Sequence, residues 1–387
     1  MSFFSIPNLR LVATKKEYNE EEPAEVVALG DFYAAGLANF TRINNTSDYL
    51  NGWTRQLTPN AKLSNVWTNT YSAYIKTETG DFYAWGNNSR GQLGLGDTTA
   101  RNVPTLVSSI PNFTQMNGGV YHMLGVTSDG QLWSIGRNSD GQLGLGNNTD
   151  TTSWTQVTTV INSSGQTVAI GPVKKVVATD YGSVILTEAG DIYVSGFNSL
   201  YGFSVSSFAN RFTYVTANIT DFDAIQNFAI AINTSGQLIR WGNTYEWRVR
   251  VSGARAPNIL SSATNWTRVA AGYWGFAAVN DTNELYVIGY NSNGQFASLP
   301  ATWWPVDALT NIPFTGGQIE EMKFAKNSND AFFLRTAAGD LYATGENSYG
   351  QLGLGTDKTD KYALTLTNTG VLQVRPEHAT MTFILKE

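Results

Sequence analysis

Hydrophobic and aromatic residues recur along this chain in short runs, nearly all entered and left through glycine. The run Gly80-Asp81-Phe82-Tyr83-Ala84-Trp85-Gly86 has close copies at Gly130-Gln131-Leu132-Trp133-Ser134-Ile135-Gly136 and Gly339-Asp340-Leu341-Tyr342-Ala343-Thr344-Gly345. Further copies start at Gly30, Gly190, Gly236 and Asn283, which makes seven. By subtraction, successive starts lie 50, 50, 60, 46, 47 and 56 residues apart, so insertions fall between strands and not inside them. A β-rich stretch such as Ser72 to Lys76 or Ser183 to Leu186 leads into the turn before each motif. Helical periodicity is not sustained, and short strands with glycine-marked turns at even spacing predict an all-β chain. Several units of about four strands each predict a β-propeller.

Three of these strands are followed by one hexapeptide, Gly-Gln-Leu-Gly-Leu-Gly, running from Gly91 to Gly96, Gly141 to Gly146 and Gly350 to Gly355. Each copy follows an asparagine, taken as Asn87, Asn138 and Asn347. Glycine at this density permits positive φ in tight turns and close approach of neighbouring strands.

The pattern Asn-x-x-Gly-Gln-Leu-Gly-x-Gly after Gly-Asp/Gln-x-Tyr/Trp-x-x-Gly resembles the regulator of chromosome condensation repeat. The second unit extends the likeness through Gly96-Asp97-Thr98, Arg101 and Pro104; the third carries Gly119-Val120-Tyr121-His122, Thr127 and Gly130. In the eroded units Gly202-Phe203 and Gln295-Phe296 are fragments, and Asn243 to Trp247 lacks the loop glycines. The resemblance implies a seven-bladed β-propeller of four-stranded blades over residues 26–387, preceded by an N-terminal arm, residues 1–25. Val371-Leu372-Gln373-Val374 and Met381 to Leu385 look like two strands without a successor, and Gly30 to Gly36 supplies one. The last blade is therefore expected to be closed by N- and C-terminal strands, which removes an exposed edge. Glu25 to Leu29 competes as the strand ahead of Gly30.

Composition narrows the chemistry. Cysteine is absent from the 387 residues, which excludes disulfides, thiolate metal sites and a cysteine nucleophile. With 25 Lys+Arg against 31 Asp+Glu the net charge is -6, and no basic surplus exists to neutralise nucleic-acid phosphates. Charged residues make up only 14%, leaving a surface of hydroxyls, amides and rings. No apolar run is long enough to span a bilayer. Met1 to Pro7 lacks a basic start, so the chain is expected to stay in the cytosol or to be already mature.

Reactive constellations are sparse. Gly91-x-x-Gly94-x-Gly96 lacks the Lys-Ser/Thr of a phosphate loop and reads as a structural turn. Two histidines, His122 and His378, are too few for a metal sphere or a triad, and each is expected to be buried on neighbouring backbone. Asp97, Asp150, Asp357 and Asp360 lack calcium-loop spacing and read as turn residues. No catalytic residue, metal or cofactor is expected.

Trp85, Trp133 and Trp241 lie inside the repeated strand and are expected to pack between blades. Trp53, Trp154, Trp247, Trp274, Trp303 and Trp304 fall off the motif, and Arg248 and Arg250 belong to the one local basic cluster. Together with Phe3 and Phe4 of the arm, these are the expected partner-binding residues, suited to protein or glycan; capping of the propeller rim is the alternative for the tryptophans. The arm itself either packs on its own blade or docks on a neighbouring subunit. The expected function is a non-enzymatic, protein-binding structural propeller, most simply a bacteriophage virion component such as a capsid decoration or tail protein located in the virion. A bacterial propeller that binds or inhibits a partner protein is the second reading, and a guanine-nucleotide exchange factor the third.

Overall fold

The computed structural model describes residues 32–37, 49–55, 62–197, 208–225, 228–242, 257–273, 275–289, 291, 293–297, 299, 306–325, 331–377 and 381–386. These form strands, turns and loops, with no helix among them. The chain is an all-β propeller. Six sheets have four strands and one has six. The first comprises Leu63–Thr68, Ser72–Thr77, Phe82–Gly86 and Arg101–Leu106, paired in chain order.

Strands here are apolar on both faces because each sheet is sandwiched between two others. Side chains alternate with a period of two: Phe82 and Ala84 join Phe113, Met116 and Ile135 of the second sheet, while Trp85 on the opposite face joins Ala73, Ile75 and Leu385. Every apolar cluster is built in this way from two successive sheets. Trp85 and Trp241, at 0% and 1% exposure, fill such clusters as expected. Trp133 is half-buried against the cluster between the first and second sheets.

The innermost strands are Leu63–Thr68, Phe113–Gly118, Val173–Ala178, Ile219–Ala224, Trp266–Gly272, Ile319–Phe324 and Val371–Glu377. Each carries the same register shift near its start, between Leu63 and Asn65 in the first and Val371 and Gln373 in the last. The residue after the shift is polar or charged in every case: Asn65, Gln115, Lys175, Asp221, Arg268, Glu321 and Gln373. In the sheet of the last innermost strand the order is Tyr49–Arg55, Phe32–Leu37, Met381–Lys386, Val371–Glu377. Phe32–Leu37 pairs antiparallel with Met381–Lys386, Tyr33 opposite Ile384.

Four strands per blade does not hold for the third sheet. Its extra hairpin, Thr159–Ile161 and Thr167–Ala169, adds to Phe208–Thr216 in parallel, Ile161 opposite Thr213. The hairpin uses the longest interval in the repeat: Asn162 accepts from the N–H groups of Ser164 and Gln166, and Gly165 takes φ 76°. Val160 anchors it in the core at 1% exposure. The N-terminal arm and the competing strand Glu25 to Leu29 lie outside the described residues.

Candidate functional site: the axial channel and the face around it

An innermost strand has one edge without a strand partner, and its N–H groups need acceptors. Side chains of the preceding sheet supply several. Gln373 Oε1 accepts from Val66 N at 3.1 Å, Gln115 Oε1 from Val176 N at 2.8 Å, Asn117 Oδ1 from Ala178 N at 2.8 Å and Asp223 Oδ2 from Ala271 N at 2.9 Å. Ion pairs bind the ring elsewhere: Lys175 to Asp221 at 2.6 Å, and Glu321 to both Arg335 at 3.3 Å and Arg375 at 3.1 Å. Burial alone would raise the Glu321 carboxyl, but Arg375, Lys323 and Arg335 together hold it below the usual range. The strands enclose an axial cavity of about 300 Å³ to which all seven contribute.

One face around the channel carries a row of tyrosines. Tyr71, Tyr121 and Tyr181 stand at the same repeat position, in the turn from the first to the second strand of three successive sheets, and all are half-buried. Their carbonyls accept from Asn87, Arg137 and Phe197, at 2.9, 2.9 and 3.0 Å, which draws the loop after each third strand to the same face. Gly86 is obligatory there, because a Cβ would meet Tyr71 O at 2.4 Å and φ is +107°. The Tyr71 and Tyr121 rings lie 4.9 Å apart, and the Arg137 guanidinium covers the Tyr181 ring at 5.0 Å. Burial, and then the neighbouring Tyr121, push the Tyr71 hydroxyl above its ordinary range.

The repeated loops are rigid parts of this face. Asn138 is fully buried; its Oδ1 accepts from Leu143 N at 2.9 Å and its Nδ2 donates to Asn147 O at 2.9 Å. Asn347 does the same with Leu352 N and Asp357 O, at 3.0 and 2.6 Å. In the first sheet this role belongs to Asn88, bonded to Leu93 N and Asp97 O at 2.9 Å each, and not to Asn87. Asn87 instead accepts from Ser89 N at the surface. The eroded unit of the fifth sheet retains the arrangement: Asn291 bonds Phe296 N at 2.7 Å and Leu299 O at 3.0 Å, and Gln295 accepts from Asn293 N as Gln92 does from Arg90 N. The Gln295-Phe296 fragment thus keeps the Asn and Gln hydrogen bonds of the full loop, while Gly202-Phe203 lies outside the described residues.

The expected turn aspartates serve these loops. Asp97 accepts from Thr99 N and pairs with Arg101 at 2.7 Å, Asp150 accepts from Asn138 N, Asp357 accepts from Thr359 N, and Asp360 accepts from Asn347 N. His122 is buried as expected, but its partner is a side chain of the next sheet: Nε2 lies 3.0 Å from Ser183 Oγ. Ser183 gives its single proton to Gln142 O at 2.8 Å, so His122 Nε2 is the donor to Ser183. His378 lies outside the described residues. Among the described residues no three His, Asp or Glu side chains form a group that could hold a metal, and no helix is long and apolar enough to cross a membrane.

Of the expected partner-binding residues, only Trp154 has a described side chain, and it is a core residue. It is 7% exposed, its ring centroid is 4.6 Å from that of Phe113, and it presses on Gly94, whose Cβ would lie 3.0 Å from Trp154 Nε1. Phe212 meets Gly144 in the same way one sheet on. The repeat contained the signal: Trp154 follows Gly141 by the interval at which buried Pro104 follows Gly91. Trp53 lies in the strand Tyr49–Arg55, with its side chain outside the described set. Trp247, Arg248, Arg250, Trp274, Trp303, Trp304, Phe3 and Phe4 all lie outside the described residues. The tyrosine row was missed because its members are 50 and 60 residues apart, by subtraction, and read singly as ordinary turn residues.

Residues 79–126 and 129–186 match the family model of the Regulator of chromosome condensation (RCC1) repeat, and residues 113–142 match a second model of that repeat. Residues 79–186 therefore carry the repeat of this family. It is 29% identical over 293 residues to a secretion-regulating guanine nucleotide exchange factor of Bos taurus, across 70% of this chain and 61% of that protein. In fold it is similar to human WBSCR16, with TM-score 0.74 at 18% identity, covering 93% of this chain and 99% of the other. It is likewise similar to Prp20p from Saccharomyces cerevisiae, with TM-score 0.75 at 14% identity and 93% and 92% coverage; that structure is described together with binding to Gsp1p and histones.

Proposed function

We propose that this chain is a seven-membered propeller ring, closed by the sheet that takes strands from both ends, and that it acts as a protein-binding module of guanine-nucleotide exchange-factor type. The observation that carries this reading is the row of half-buried Tyr71, Tyr121 and Tyr181 at one repeat position on one face, with Arg137 against Tyr181. Tyrosine supplies contact area and a hydroxyl at small entropic cost, which favours a protein partner. The Bos taurus relative supports the exchange-factor class. Catalysis in such a protein consists of stabilising the nucleotide-free partner, so a face of rings and rigid loops suffices without a reactive side chain. Trp247, Arg248, Arg250, Trp274, Trp303, Trp304, Trp53, Phe3 and Phe4 stay candidate partner contacts in this reading, to be tested by substitution. The virion role expected from composition has no counterpart among the relatives described above and yields to this reading.

The test is release of a fluorescent guanine nucleotide from a panel of small GTPases mixed with the full chain. Acceleration for at least one member is expected, with loss in Tyr71→Ala/Tyr121→Ala at unchanged unfolding temperature. A panel with no acceleration and no retained GTPase refutes the exchange-factor reading; acceleration untouched by the tyrosine substitutions refutes the assigned face.

A further inference from the structure

The polar groups lining the axial cavity are unevenly matched. Three cations, Lys175, Lys323 and Arg375, stand against two acids, Asp223 and Glu321. Both acids are fully engaged. Asp223 accepts from Ala224 N and Ala271 N, at 3.0 and 2.9 Å, and Glu321 spends one oxygen on Arg335 and the other on Arg375. Lys175 is held by Asp221, and Arg375 Nη1 is shared between Glu321 and the Val374 carbonyl. Lys323 makes no hydrogen bond or ion pair among the described residues, although its charge acts on Glu321 through space.

The amides tilt the balance the same way. Gln115 and Gln373 give their carbonyl oxygens to Val176 N and Val66 N, and this backbone donation settles which end is oxygen. Their NH₂ groups are what they offer the cavity, so the unspent capacity of the lining is donor and cationic. Lys323 and Arg375 also occupy the same repeat position, two residues past the register shift, on adjacent sheets. Lys323 is half-buried at this lining, so its ammonium keeps its donors available to an acceptor that enters the cavity.

We propose that the axial cavity binds a small oxyanion, with Lys323 as its main donor and Arg375 beside it. About 300 Å³ lies at the lower end of small-molecule sites. That admits inorganic phosphate or a short dicarboxylate. The proposal stands independently of the exchange-factor reading.

The full chain is titrated with sodium phosphate and, separately, succinate at ionic strength held constant with sodium chloride, following heat of binding and unfolding temperature. One of the two anions is expected to saturate near one per chain and to raise the unfolding temperature. Lys323→Gln is expected to weaken that binding about tenfold or more, a difference of about 1.4 kcal/mol. Lys323→Arg, which keeps the charge, and Lys62→Gln, at an exposed pair with Glu78, are expected to bind as the unaltered chain does. Absence of saturation by both anions overturns the proposal, and so does equal affinity in Lys323→Gln.

Discussion

Replacing Asn88 by alanine tests whether the buried asparagine, and not the glycines, holds the repeated loop. Asn88 is 0% exposed and bridges the loop, accepting from Leu93 N and donating to Asp97 O. Alanine removes both partners, leaving the buried Leu93 N–H unsatisfied and the part-buried Asp97 carbonyl to water. One such buried group costs about 1–3 kcal/mol, and Asn88→Ala is expected to destabilise by roughly that amount. Asn87→Ala is the internal control. Its side chain bonds Ser89 N and Gln92 Nε2 at the partly exposed edge of the same loop, and its loss is expected to cost under about 1 kcal/mol. Because a propeller of this size need not unfold in one step, urea titration is to be paired with hydrogen exchange at the Leu93 amide. Loss of protection there in Asn88→Ala, with protection kept in Asn87→Ala, is the expected pair of outcomes. An Asn87→Ala protein as damaged as Asn88→Ala, or an Asn88→Ala protein within about 1 kcal/mol of the original, would refute the reasoning.

Two further substitutions probe the packing and the channel. Trp154→Ala empties the site against Phe113 and Gly94 and is expected to cost about 3–5 kcal/mol in urea unfolding; a near-neutral result would show that the ring does not lock the two sheets together. Glu321 has its folded pKa lowered, because Arg375, Lys323 and Arg335 overcome the effect of burial. Its contribution to stability is therefore present above the ordinary glutamate range and is lost as pH falls through the lowered folded value. Glu321→Gln is expected to lower the unfolding temperature at neutral pH and to flatten its decline on acidification. An acid limb with unchanged slope would count against the assignment.

Much of the local architecture was readable in the chain itself. Alternation with glycine punctuation predicts strands and turns because those preferences act over a few residues, and seven copies of one motif predict repeated sheets. The place of Asn88, the burial of Trp154 and the hydrogen bonds of the Asn291 loop were not readable, since each depends on which backbone groups fold back to meet one side chain. The channel is more remote still. Gln115 satisfies Val176 N, and Gln373 satisfies Val66 N, across 61 and 307 residues of chain. Spacing along a sequence dictates how a strand alternates and where it turns. Only the stacking of one sheet on the next decides which polar groups find partners at the axis, and which, like Lys323, are left facing the cavity.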